Sequence, residues 1–123
     1  MTTGYKAYQT NAIQTAPPEQ LVLMLYDGAL RFLRRAQASI EQGQPPQATQ
    51  QISRATAIIM ELNATLDTER GGQIAENLRS LYFFLHRHLL AATVEQSTAK
   101  LDDAIGIIKD LRDAFAEAAK RAA

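Results

Sequence analysis

The stretch Gln20-Leu-Val-Leu-Met-Leu-Tyr-Asp-Gly-Ala29 is the densest apolar run near the start of the chain. Leu21, Met24, Leu25 and Gly28 recur at i, i+3, i+4 and i+7, so they share one face of a helix. Tyr26 and Leu30 lie on the flank of that face. The helix is therefore apolar over more than one stripe, which a single core seam does not require. Pro17-Pro18 opens it, because the missing proline N–H would be unpaired in a first turn anyway. Gly43, ahead of Pro45-Pro46, suits a left-handed cap at its other end. The predicted helix covers about 25 residues, roughly 37 Å at 1.5 Å per residue.

Three more helices follow. Ile52, Ala55, Ile59, Leu62 and Leu66 alternate spacings of three and four, a coiled-coil-like seam that predicts a helix from Pro46 to about Leu66. Asp67 to Gly72 reads as a polar turn ending in two glycines, with the third helix starting near Gly72. On that helix Ile74, Leu78, Leu81, Leu85 and Ala92 form one stripe, and Ala75, Tyr82 and Leu89 form a second beside it. Tyr82-Phe83-Phe84-Leu85 covers almost a full helical circumference. A bundle buries about half of such a turn, and the rest is either boundary or an apolar patch for a partner. Glu95 to Thr98 interrupts the pattern, and Ser97 or Thr98 can cap a fourth helix. Asp102 and Asp103 fall in its first turns, where the macrodipole favours anions, and Lys120 and Arg121 suit its far end. Leu101, Ile105, Ile108, Leu111, Phe115 and Ala118 form its buried face. Short connections between long helices favour antiparallel neighbours. The expected fold is all-α: an antiparallel up-down-up-down four-helix bundle over residues 18–123, preceded by an arm over residues 1–17. No strand alternation competes, and no internal repeat is visible.

Composition narrows the function. The chain has 123 residues, 46% hydrophobic and 21% charged, enough for one domain with a real core. Thirteen basic and thirteen acidic side chains cancel, without the basic excess that phosphate contacts require, so no nucleic-acid partner is expected. The absence of cysteine excludes disulfides and thiolate chemistry. No apolar run approaches the roughly 18 residues of a membrane span, and no secretory signal is visible, so a cytoplasmic protein without membrane insertion is the expectation.

Candidate chemistry is sparse. His86 and His88, the two histidines, point about 200° apart on a helix and cannot share a metal ion. The Glu-x-x-His pairs of di-iron bundles are missing. Neither metal nor cofactor is expected. A histidine phosphotransfer domain is also a small four-helix bundle, but its reactive histidine is usually followed by lysine three residues on and glycine four on. Here Leu89 and Leu90 follow His86, and Ala91 and Ala92 follow His88. No nucleophile-base-acid arrangement or phosphate loop stands out, so no enzyme is expected. For Asp27-Gly28 the readings are an electrostatic contact beside a close-approach glycine, or a glycine that lets two helices pack tightly. A generic helical scaffold is the remaining alternative.

Several blocks together resemble the flagellin export chaperone family. They are Tyr5-Lys-Ala-Tyr8-Gln9, Ile13-Gln-Thr-Ala16, Pro18-Glu19 through Ala29, Ile58-Ile-Met-Glu-Leu62, Leu66-Asp67, and Gly71-Gly72 through Leu78 leading into Leu81-Tyr82. They span nearly the whole chain in order. Pro17 stands where the family often has serine, leaving Thr15 as the available cap. Phe83 and Phe84 stand where relatives often have a polar residue and then tyrosine. The resemblance implies a helical bundle that binds the disordered C-terminal segment of flagellin, keeps it from polymerising, and helps deliver it to the flagellar type III export gate. It also implies that the N-terminal segment covers part of the binding surface in the free protein, with Tyr8 a contact for the cytoplasmic domain of the gate. The residues expected to meet partners are Tyr5, Tyr8 and Ile13 on the arm, Leu21, Leu25, Tyr26, Asp27 and Leu30 on the first helix, and Leu81, Tyr82 and Leu85 on the third.

Overall fold

Proline and glycine set the element boundaries. The computed structural model describes residues 18–122. The expected arm, its self-capping role and a Thr15 cap lie outside the described residues. Helix α1 is Pro18–Glu41, α2 is Pro45–Ala64, α3 is Thr68–Glu95 and α4 is Thr98–Ala122. At the end of α1, Gly43 adopts φ 70°, its N–H donates to the Ile40 carbonyl, and the Gln44 N–H reaches back to the Ser39 carbonyl at 2.9 Å. This reciprocal pair satisfies carbonyls that the last turn leaves without partners. The end of α3 closes the same way with Gln96 at φ 50°, where no glycine marks the turn. The Ser97 hydroxyl caps α4 by accepting the Lys100 N–H at 3.1 Å.

The expected polar turn over 67–72 is itself partly helical. The Asp67 side chain caps a single turn by accepting the N–H groups of Glu69 and Arg70, each at 3.1 Å. Gly72, at φ 54° and ψ −130°, then breaks the helix before its long body resumes. That backbone region is open to glycine and strained for any other residue.

Helix α1 packs on α2 and α4, and α3 packs on α2 and α4. Contact pairs run in opposite directions along each seam of α1. Ser39 bonds Gln51 at 2.9 Å, while Gly28 lies against Ile58. Gln37 bonds Asp102, while Asp27 bonds Arg112 at 2.9 Å. The core is built from Tyr26, Ala29, Leu33 and Ala36 of α1, and Ile52, Ala55, Ile59 and Leu62 of α2. Tyr82, Leu85, Leu89 and Ala92 of α3 and Leu101, Ala104 and Ile108 of α4 complete it. Each large side chain fully buried here contributes about 1.5–3 kcal/mol of hydrophobic stabilisation.

Two expected faces are rotated. On α1 the core face is Tyr26, Ala29, Leu30, Leu33 and Ala36, whereas Leu21, Met24 and Leu25 are half-buried. Residues 21–30 are so uniformly apolar that two stripes fit the helical period. The phase is decided downstream, where Arg31, Arg34 and Arg35 must face water. On α3 the Ala75, Tyr82 and Leu89 stripe is the buried one, joined by Leu85 and Ala92, while Ile74 is 72% exposed. On α4, Ala118 is exposed, because the core ends with Phe115.

Candidate functional site

Helix α3 has more apolar surface than the bundle can cover. Ile74, Phe83, Phe84, Leu90 and Val94 are the large hydrophobic residues left exposed among the described residues, and all five lie on it. Leu90 and Val94, at 62% and 77% exposure, follow Phe83 by seven and eleven positions and so share its outer face. Beside this face α2 and α3 enclose a groove of about 450 Å³. Ile52 and Leu89 contribute the core side of its lining, with Thr49, Thr56, His86 and Leu90 also bordering it. A second hollow, about 400 Å³, opens where α1 begins and α4 ends; Val22, Leu66, Ile74, Leu78, Tyr82 and Phe115 line it.

Beneath that hollow sits a polar pair. The Tyr26 and Tyr82 hydroxyls are 2.5 Å apart, both in residues with 1% exposure or less. Burial pushes the Tyr26 phenol well above the usual tyrosine range, and its bond to Tyr82 adds to this. Burial also raises Tyr82, partly offset by its bond to Tyr26. The Tyr26 ring lies 5.5 Å from the ring of Phe115. On the outer side of the bundle Asp27 accepts from Arg112 Nε at 2.9 Å, and that bond holds the guanidinium yet more firmly protonated. Gly28 is buried where α1 meets α2, and a Cβ there would stand 3.4 Å from Ile58 Cδ1, at the edge of ordinary van der Waals contact. The electrostatic contact of Asp27 is thus made within the bundle, joining α1 to α4.

The residues expected to meet partners divide into three groups. Tyr26, Leu30, Tyr82 and Leu85 are buried in the core, where they build the bundle, and of the four Tyr82 also forms part of the wall of the second hollow. They were expected at the surface because a run apolar on every side does not reveal which side faces inward. Leu21, Leu25, Asp27 and Leu81 are half-buried at the surface. Tyr5, Tyr8 and Ile13 lie outside the described residues. Sequence reasoning did not single out Leu90 and Val94, although both continue the outer face begun by Phe83.

Among the described residues, reactive groups do not converge. His88 is half-buried, stacked on Phe84 at 5.2 Å and bonded to Asp103 at 3.0 Å, which ties α3 to α4. His86 is exposed. Among the described residues no three histidines or carboxylates are placed to hold a metal ion, and no helix is long and apolar enough to cross a membrane. The arrangement is a helical frame with exposed apolar surface on α3.

Comparison with known proteins identifies the frame. The family model described as "Flagellar protein FliS" matches residues 1–122. The chain is 36% identical to the flagellar secretion chaperone FliS of Bacillus subtilis (strain 168), covering 93% of this chain and 84% of that protein. It is 35% identical to the flagellar secretion chaperone FliS of Salmonella typhimurium, covering 98% and 93%. The FliSB chaperone of Pseudomonas aeruginosa is 32% identical over 89% of this chain and 90% of that protein. The four-helix frame agrees with these matches, and this chain belongs to the FliS family of flagellar secretion chaperones, which are not enzymes.

Proposed function

We propose that this protein acts in the cytoplasm, binds the disordered C-terminal segment of flagellin, keeps it from polymerising early, and helps deliver it to the export gate. The observation that carries this reading is the outer face of α3. Phe83, Leu90 and Val94 form an apolar strip along the α2–α3 groove, and that groove has room for side chains of a partner helix. Exposed apolar strips with an adjoining groove are the geometry of helix-in-groove recognition. A disordered segment that gains helix on docking covers such a surface and is released without being folded into a filament. Half-buried Leu21, Leu25, Asp27 and Leu81 are offered as rim contacts. Tyr5 and Ile13 of the arm are offered as occupants of the flagellin surface in the free protein, and Tyr8 as the gate contact.

The test is titration calorimetry with a flagellin C-terminal peptide. Binding is expected roughly one to one with a negative heat-capacity change, the mark of apolar burial. The peptide gains helix by circular dichroism on binding. No binding at tens of micromolar, about −6 kcal/mol, removes the proposal. Delivery is tested separately with Tyr8→Ala, which is expected to retain the peptide and lose affinity for the cytoplasmic domain of the gate.

A further inference from the structure

The arginines of α1 and α2 gather on one seam. The guanidinium carbons of Arg35 and Arg54 lie 5.9 Å and 5.8 Å from the centre of the Phe32 ring, one from each helix. One turn back, Arg31 leans over Gly28, its Nη2 3.8 Å from where a Cβ would stand. All three are exposed, as is neighbouring Arg34. Among the described residues none of these four has an ion-pair partner, as is also true of Arg79 and Arg87 on α3, whereas Arg70, Arg112 and Arg121 each have one. The chain as a whole is neutral, so this is a segregation of charge. Exposed acids are most numerous on α4, at Asp102, Asp103, Asp110, Asp113 and Glu117, with Glu19, Glu41 and Glu61 the exposed acids of α1 and α2.

We propose that the α1–α2 seam is a docking surface for an acidic protein segment, with Arg31, Arg35 and Arg54 as its carboxylate-binding groups and Phe32 as its floor. A guanidinium resting on an aromatic ring keeps N–H donors for a second partner. Its side chain is also partly ordered before that partner arrives, so less rotamer freedom is lost on binding. Paired N–H donors match the two oxygens of a carboxylate. Half-buried Phe32 and Ile58 between the charges supply apolar contact for a side-chain stem, which a bare phosphate backbone does not use. Nucleic-acid binding of the kind that neutralises about 6–10 phosphates uses more basic groups than this cluster offers. The seam lies away from the exposed face of α3, since α1 packs on α2 and α4 only. The seam is thus centred away from the apolar strip of α3, although Arg31 lies beside Asp27, one of the rim contacts offered for flagellin.

The experiment uses the full chain and three probes. The first is a helical alanine-based peptide of about 20 residues with glutamates at three- and four-residue spacing. The second is the same peptide with glutamine for glutamate, and the third is an oligothymidylate of similar length. The acidic peptide is expected to bind and to lose at least about tenfold in affinity between low and moderate salt, where screening shortens the reach of exposed charges. The R31Q/R35Q/R54Q variant loses roughly tenfold or more, while the control R79Q/R87Q on α3 changes less than about twofold. Circular dichroism checks that both variants keep their helix. Equal binding of the glutamine peptide, equal loss in the control, or tighter binding of the oligonucleotide overturns the proposal. So does salt-sensitive self-association that excludes the peptide and disappears in R31Q/R35Q/R54Q, which would assign the seam to the acidic α4 face of a second copy.

Discussion

The hydroxyl pair of Tyr26 and Tyr82 allows a quantitative test of what holds the bundle in register. Each hydroxyl is buried, and among the described residues each has the other as its hydrogen-bond partner. Tyr26→Phe removes one oxygen and leaves Tyr82 with a buried O–H lacking a partner, at a cost of about 1–3 kcal/mol; Tyr82→Phe does the converse. The double substitution removes both groups and leaves two rings among apolar neighbours, Phe115 among them. Replacing both partners by apolar groups of the same shape is nearly neutral, so the double variant costs about 0–1 kcal/mol. The coupling is the cost of the two singles together less that of the double, about 1–6 kcal/mol, which is a sizeable part of a total stability of roughly 5–15 kcal/mol. Urea unfolding followed by circular dichroism measures all four corners of the cycle. The midpoint is expected to shift with the slope unchanged, since the exposed area on unfolding is the same. A double variant as costly as the two singles combined, or either single below about 0.5 kcal/mol, refutes the claim that the hydroxyls satisfy one another.

Three further outcomes are expected. Burial raises both phenols above their ordinary value near 10, so the fold favours their neutral form. Their contribution is complete below about pH 10 and is lost as pH rises beyond it. Tyrosinate absorbance from the pair should appear together with loss of helix, and independent ionisation near pH 10 in an intact helix contradicts this. Gly106 is mid-helix, exposed and has nothing within 4 Å, so Gly106→Ala should add about 0.8–1 kcal/mol by helix propensity, whereas Gly72→Ala at φ 54° should cost about 1–3 kcal/mol; equal effects in denaturant titrations would refute the contrast. Leu90→Asp with Val94→Asp should weaken flagellin-peptide binding at least about tenfold while changing stability by no more than about 0.5 kcal/mol per site, and unchanged calorimetric affinity counts against the α3 face.

Helix number, order and most ends were legible because their causes are local. Pro18, Pro45 and Gly43 act through their own backbone, and the α2 seam has apolar and polar positions in clear alternation. The phase of α1 was not legible within residues 21–30, where nearly every position is apolar. It is set by the arginines one turn later and by which neighbours the helix meets. Gln96 escaped notice because its left-handed conformation is imposed by the turn between α3 and α4 and not by its own preference. The Tyr26–Tyr82 bond joins residues 56 positions apart, and the Arg35–Phe32–Arg54 stack joins two helices. Neither leaves a periodic trace. Asp27 was singled out from its neighbourhood, but its partner Arg112 stands 85 positions away and is chosen by packing alone.

The seam between α1 and α4 has a consequence for synthesis. Two side-chain hydrogen bonds across it, Gln37 to Asp102 and Asp27 to Arg112, span 65 and 85 residues. At about 5–20 residues per second, a ribosome that has just produced α1 needs roughly 3–17 s more to supply its partner. Helices α1 and α2 can pair meanwhile, but the edge of α1 meant for α4 stays open. Of the four helices the last made is the one that shuts the ring. A nascent copy interrupted within α4 carries an unshut apolar edge, which the cell's proteases can read as the mark of an unfinished chain.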